Sequence, residues 1–85
     1  MRQQPLTVQY NNQFKIISYD PLLVYVRGRL TEQQVVHCLV TRHALTLLYQ
    51  LQPNARLALY GHYNRRNQFI ITKFMVGRPV QTLAS

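Results

Sequence analysis

Alternation of apolar and polar side chains dominates the first thirty residues and predicts strands. Leu6, Val8 and Tyr10 alternate with Thr7 and Gln9, the two-residue period that gives a strand one buried face. Asn11 and Asn12 follow, and because asparagine tolerates positive φ the strand either ends there or bends sharply. Phe14, Ile16 and Ser18 then alternate with Lys15, Ile17 and Tyr19 as far as Asp20-Pro21, a turn initiator. The clearest strand runs from Leu22 to Leu30. Leu22, Val24, Val26 and Leu30 make its apolar face, while Tyr25, Arg27 and Arg29 project together from the other.

Between Thr31 and Leu51 two readings compete. Thr31 with Gln34 has the form of a capping box and Pro53-Asn54 would stop a helix, so one helix over about 32–51 would give an α+β fold. On a helical wheel, however, Val35, Val36, Leu39 and Val40 centre about 100° away from Ala44, Leu47, Leu48 and Leu51. One straight helix would bury that stripe discontinuously. The pattern therefore favours a β-branched strand over Val35–Thr41 followed by a short amphipathic helix from about Arg42 to Gln52. Beyond the Pro53-Asn54 turn, Ala55, Leu57, Leu59 and Gly61 share one strand face and Arg56, Tyr60 and His62 the other. Asn64-Arg65-Arg66-Asn67 makes a polar hairpin, and Gln68–Val76 closes the pattern before Gly77-Arg78-Pro79. Phe14, Phe69, Phe74 and Met75 are expected in the core. Phe69 could instead be a stacking platform, since it shares a strand face with Ile71 and Lys73.

Size and composition narrow the picture. Eighty-five residues, 47% of them apolar, fit one domain over 1–85 with loosely held termini at 1–5 and 80–85. No apolar run reaches the roughly 18 residues of a membrane span, and the N-terminus lacks the apolar stretch of a secretory signal. Cytoplasmic residence is expected. Cys38 is the lone cysteine, so an internal disulfide is impossible, and its small apolar character suits burial. His37 and Cys38 would point to opposite faces of a strand, which argues against a metal site with His43 and His62.

Charge changes the picture most. Ten lysines and arginines face Asp20 and Glu32 alone, a formal net charge of +8. Eight of the ten are arginine, whose planar fork binds phosphate bidentately and stacks on bases. An anionic partner is expected, nucleic acid before others. Two scattered acids cannot supply paired carboxylates, and any hydroxyl nucleophile would lack an acid to orient its histidine. Neither an enzyme nor a cofactor or metal is expected. Sequence-tolerant binding of a single strand needs cations to follow phosphates and exposed rings on which bases stack. Tyr25 lies two and four residues from Arg27 and Arg29; Tyr60 and His62 share a face with Arg56; Tyr63 abuts Arg65 and Arg66; Lys73 lies on the closing strand. These ten residues form the candidate nucleic-acid-binding set.

The order strand, strand, strand, short helix, strand, strand is that of a small five-stranded Greek-key barrel, making the fold mostly β. From about Phe14 to Val76 the chain resembles OB-fold proteins of the single-stranded-DNA-binding kind. The resemblance rests on the phrase Leu51-Gln52-Pro53-Asn54-Ala55-Arg56-Leu57-Ala58-Leu59-Tyr60-Gly61, the hairpin Asn64–Asn67 and the strand Gln68–Val76. Val26-Arg27-Gly28-Arg29-Leu30 is similar to the glycine-marked strand found early in such barrels, where glycine permits a sharp bend. The segment before Phe14 exceeds the family pattern, so Leu6–Tyr19 is one long bent first strand or an added hairpin. The resemblance implies a single-stranded DNA-binding protein, accessory to replication, repair or mobile-element processing. The same surface would serve an RNA-binding module or a basic protein-interaction subunit. Uncovered strand edges in so small a barrel would also let two copies pair as a homodimer.

Overall fold

The computed structural model describes residues 2–79. Five strands, β1 (Gln4–Tyr19), β2 (Leu22–Thr31), β3 (Gln34–Val40), β4 (Ala55–Tyr63) and β5 (Phe69–Pro79), enclose a barrel, and one short helix, α1 (Ala44–Gln50), lies between β3 and β4. The strand order β1-β2-β3-β5-β4 closes on β1. That order, with a helix between the third and fourth strands, is the Greek-key arrangement of an OB-type barrel. No helix among the described residues is long and apolar enough to cross a membrane.

The middle of the chain resolves in favour of strand plus short helix. Thr31, instead of capping a helix, pairs with Gln34 across the β2–β3 turn, and its hydroxyl accepts a hydrogen bond from the Gln33 amide at 3.3 Å. The helix is shorter than Arg42–Gln52 because His43 adopts a left-handed conformation, φ 60°, before it and Leu51 is extended after it. Ala44 and Leu47 bury the helix's inner face in the barrel core.

β1 is a single long strand that bends. Its first part pairs with β4 from Gln4↔Gly61 to Gln9↔Arg56, and its second part pairs with β2 alone. The bend falls at Asn12, φ 59°, inside a register irregularity between Tyr10 and Phe14. Asn12 Nδ2 donates to Asn54 Oδ1 at 3.1 Å, and the Asn54 amide donates to Asn12 Oδ1 at 2.9 Å. The bend is thereby tied to the start of β4. Gln4 and Pro5, expected in a loose terminus, belong to β1 and pair with Gly61 and Tyr60. The expected loose segment at 80–85 lies outside the described residues.

The core is built from the inward positions Val8, Tyr10, Val24, Val26, Val36, Cys38, Val40, Ala55, Leu57, Leu59, Phe69 and Ile71. Gly28 continues that inward row on β2. A methyl there would lie 2.6 Å from Val8 Cγ2, so glycine is what lets β1 cross β2 closely.

Three core expectations need correction, each for a local reason. Leu30 is 38% exposed, because the β2–β3 register shifts between Arg29 and Thr31 and ends the alternation one residue early. Phe14 is 53% exposed; it follows the bend, where β1 has left β4, and lines a shallow apolar depression with Leu48, Leu51 and Pro53. Met75 is 72% exposed because a bulge shifts the parity of β5. Tyr60 pairs with Lys73 but Gly61 with Ile71, leaving Thr72 as the extra residue. The Thr72 hydroxyl donates to the Tyr60 carbonyl at 2.8 Å. Phe69 and Ile71 face inward before the bulge, and Phe74 and Val76 pack on the core after it. Lys73 and Met75 are exposed, so Phe69 and Lys73 do not share a face.

Candidate nucleic-acid interface

The outward face of β2 is set by its inward one. Because Val24, Val26 and Gly28 are buried, Tyr25, Arg27 and Arg29 project from the barrel, each half-buried along its stem. Tyr25 meets His37 of β3: the Tyr25 hydroxyl and His37 Nδ1 share a hydrogen bond of 2.6 Å. Their rings are stacked with centroids 5.6 Å apart and planes 27° from parallel. Burial raises the Tyr25 phenol above its ordinary value, with Arg27 pulling the other way and Cys38 adding to the rise. The phenol therefore stays protonated and able to hold this bond at neutral pH.

Arg27 lies directly opposite His37 and is fixed from the other side by β1, where Arg27 Nη1 donates to Gln13 Oε1 at 2.8 Å. Arg27 Nε is buried with no hydrogen-bond partner. Two aromatic rings and an oriented guanidinium thus occupy adjacent positions on β2 and β3. In the sequence His37 stands out only as an unsuitable metal ligand. Its outward position beside Tyr25 becomes visible only when the β2–β3 pairing is known.

The remaining candidates fall into two further groups. Arg29 and Arg56 come together although they are on different strands: Gln9 of β1 pairs with Arg29 on one side and Arg56 on the other. Both arginines line an open groove of about 360 Å³ with Thr7, Gln9, Thr31 and Glu32. On β4 and β5, Tyr60 is 42% exposed and pairs with Lys73, while His62 Nδ1 accepts a hydrogen bond from Gln3 Nε2 at 2.8 Å.

Tyr63 is less suited to stacking than its position beside Arg65 and Arg66 implies. Its ring meets the buried Phe69 edge-on, centroids 5.1 Å apart and planes at 74°, and it packs against the core. Phe69 is fully buried, so it cannot act as a stacking platform. Arg65 and Arg66 are exposed on the β4–β5 hairpin. That hairpin is shaped by Asn64, whose Oδ1 accepts from the amides of Arg66 and Gln68, both at 2.9 Å. Among the described residues no group of three or more His, Cys, Asp or Glu side chains could hold a metal ion.

A closed five-stranded barrel of OB type, with arginine and aromatic side chains on the outside of β2 and β4, is the class that fold and surface together define. Comparison with protein-family models, curated proteins and solved structures finds no match for this chain.

Proposed function

We propose that the protein binds single-stranded nucleic acid, DNA in preference to RNA, by stacking bases on exposed rings and neutralising phosphates with arginine. Such a protein would serve as an accessory to replication, repair or mobile-element processing. The observation that carries this reading is the joint placement of the Tyr25–His37 stack and the Arg27 guanidinium on the outside of β2 and β3. Support comes also from charge: two carboxylates cannot neutralise ten cations within the chain, so a polyanion is the natural complement. Rings lying on a barrel wall cannot reach the faces of paired bases, which their neighbours cover, but they can stack on unpaired ones.

Fluorescence anisotropy with single-stranded DNA, duplex DNA and RNA of equal length tests the proposal. Single-stranded DNA should bind most tightly, and Tyr25→Ala should cost about 1–3 kcal/mol on single strands and much less on duplex. If four or five phosphates are neutralised, the slope of log affinity against log salt should be about −3, from roughly −0.7 per phosphate. Equal losses on single strand and duplex, or an affinity independent of salt, would refute the proposal. A preference for RNA would move the protein to RNA processing with the same face in use.

A further inference from the structure

We infer that the groove between Arg29 and Arg56 is a phosphate crossing, which carries a bound single strand over β1 from the Tyr25–His37 platform on β2 and β3 to Tyr60 on β4. The inference rests on the single-strand reading above and specifies the route the strand takes. Tyr25 and Tyr60 are on strands separated by β1, and around a closed barrel their outward directions diverge strongly. No flat face joins them. What joins them is the row Arg29, Gln9, Arg56, in which Gln9 is the shared pairing partner of both arginines.

At about 4.8 Å between strands, the two arginine Cα atoms are about 10 Å apart across Gln9, within reach of one phosphate or two successive ones from both sides. The groove's volume of about 360 Å³ lies near the lower end of the roughly 300–1,000 Å³ typical of small-molecule sites, which suits a phosphate and its sugar. The hydroxyl-bearing Thr7 and Thr31 line it too and can donate to phosphate oxygens. Glu32 is also in the lining. Its carboxylate repels a phosphate, so it weakens the crossing without being part of it.

The route has a length. Tyr25 to Arg29 and Arg56 to Tyr60 are each about 13 Å along a strand, and with the crossing the path is about 36 Å. At about 6 Å per extended nucleotide this corresponds to about six nucleotides, inside the roughly 4–16 typical of such barrels. A strand of about three nucleotides can occupy one platform only; one of about nine can occupy both.

The test is anisotropy of the full chain with oligothymidylates of about three, six, nine and twelve nucleotides, a range bracketing the site sizes of such barrels. Affinity should climb steeply to about six or seven nucleotides and then level off. Arg56→Ala should lower affinity for the nine-nucleotide strand about tenfold, the effect of removing one charge-assisted hydrogen bond, but by less than about threefold for the three-nucleotide strand. Tyr60→Ala should show the same dependence on length, and Glu32→Gln should tighten the longer strands. Melting temperatures verify that each variant folds. An Arg56→Ala loss of the same factor at every length, or no effect of Tyr60→Ala at any length, would overturn the crossing while leaving single-strand binding in place. No affinity for any strand would overturn the single-strand reading itself.

Discussion

Cys38 is fully buried, and burial pushes its thiol up from an ordinary value of 9.0 to about 12. The folded thiol therefore keeps its proton where the unfolded chain loses it. The contribution is fully present below pH 9 and is lost as pH rises towards 12, so stability falls with alkali. Between about pH 7 and pH 10 the loss should be about 1 kcal/mol. Tyr10 and Tyr25, whose phenols burial also raises, add to it at higher pH. Thermal melts should locate the effect: Cys38→Ala should melt lower at neutral pH, about 1 kcal/mol for the small cavity left by the sulfur, yet decline less than the parent on going to pH 10. Equal declines would assign the alkaline loss to the tyrosines alone. At this scale much was legible in the sequence. Tyr25, Arg27 and Arg29 could be placed outside because alternation from Val24 to Gly28 is unbroken. Leu30 and Met75 could not, since each follows a register shift that side-chain chemistry does not announce. That Phe69 is buried and that Tyr63 packs edge-on against it were not legible, because both depend on pairing across the β4–β5 hairpin.

Bends and bulges decide how the elements work. β1 has two partners in turn, β4 from Gln4 to Gln9 and β2 from Gln9 to Tyr19, and the left-handed Asn12 makes the change of direction. Asn54 is itself left-handed, φ 64°, so the Asn12–Asn54 pair couples two positions that alanine tolerates poorly. Replacing Asn12 by glycine removes the side-chain bonds but keeps the backbone at ease. Replacing it by alanine removes the bonds and adds strain. Chemical denaturation should place Asn12→Gly about 1–2 kcal/mol below the parent and Asn12→Ala a further 1–2 kcal/mol below that, roughly the cost of a left-handed residue with a Cβ. Identical stabilities for the two would mean that backbone strain at the bend is negligible. The sequence marked Asn11-Asn12 as a turn or bend but could not choose between them. The choice depends on whether Gln4–Gln9 pairs with β4, a contact between residues more than forty positions apart. The β5 bulge rests on a nearer constraint, across the β4–β5 hairpin: a methyl on Gly61 would overlap the Ile70 carbonyl oxygen, so the backbones approach closely there and the side chains beyond are re-aimed.

The whole molecule is a barrel closed by unequal joints. Element order made the Greek-key architecture legible, since three strands, a helix and two strands leave few ways to seal so small a sheet. The joint between β3 and β5 was not legible, because no turn connects those strands and their parallel pairing follows from closure. It is also the shortest: Cys38↔Phe69, Leu39↔Ile70 and Val40↔Ile71, against seven or more pairs at β2–β3 and β4–β5. Parallel pairs are slightly weaker per residue as well. A slit at this joint is therefore the cheapest excursion available to the native state, far below global unfolding in cost. Amide hydrogen exchange should register it: Leu39 and Ile70 should exchange faster than Val24 and Leu57 and lose protection at lower denaturant. Uniform protection around the barrel would instead mean that it opens only as a unit. The tyrosine of the proposed binding face stands one strand away, since Tyr25 pairs with Leu39. A strand of nucleic acid lying across β2 and β3 would brace the rim of this slit, so exchange at Leu39 should slow on binding even though no ligand touches that amide. The joint would then report occupancy of the outer face from inside the wall.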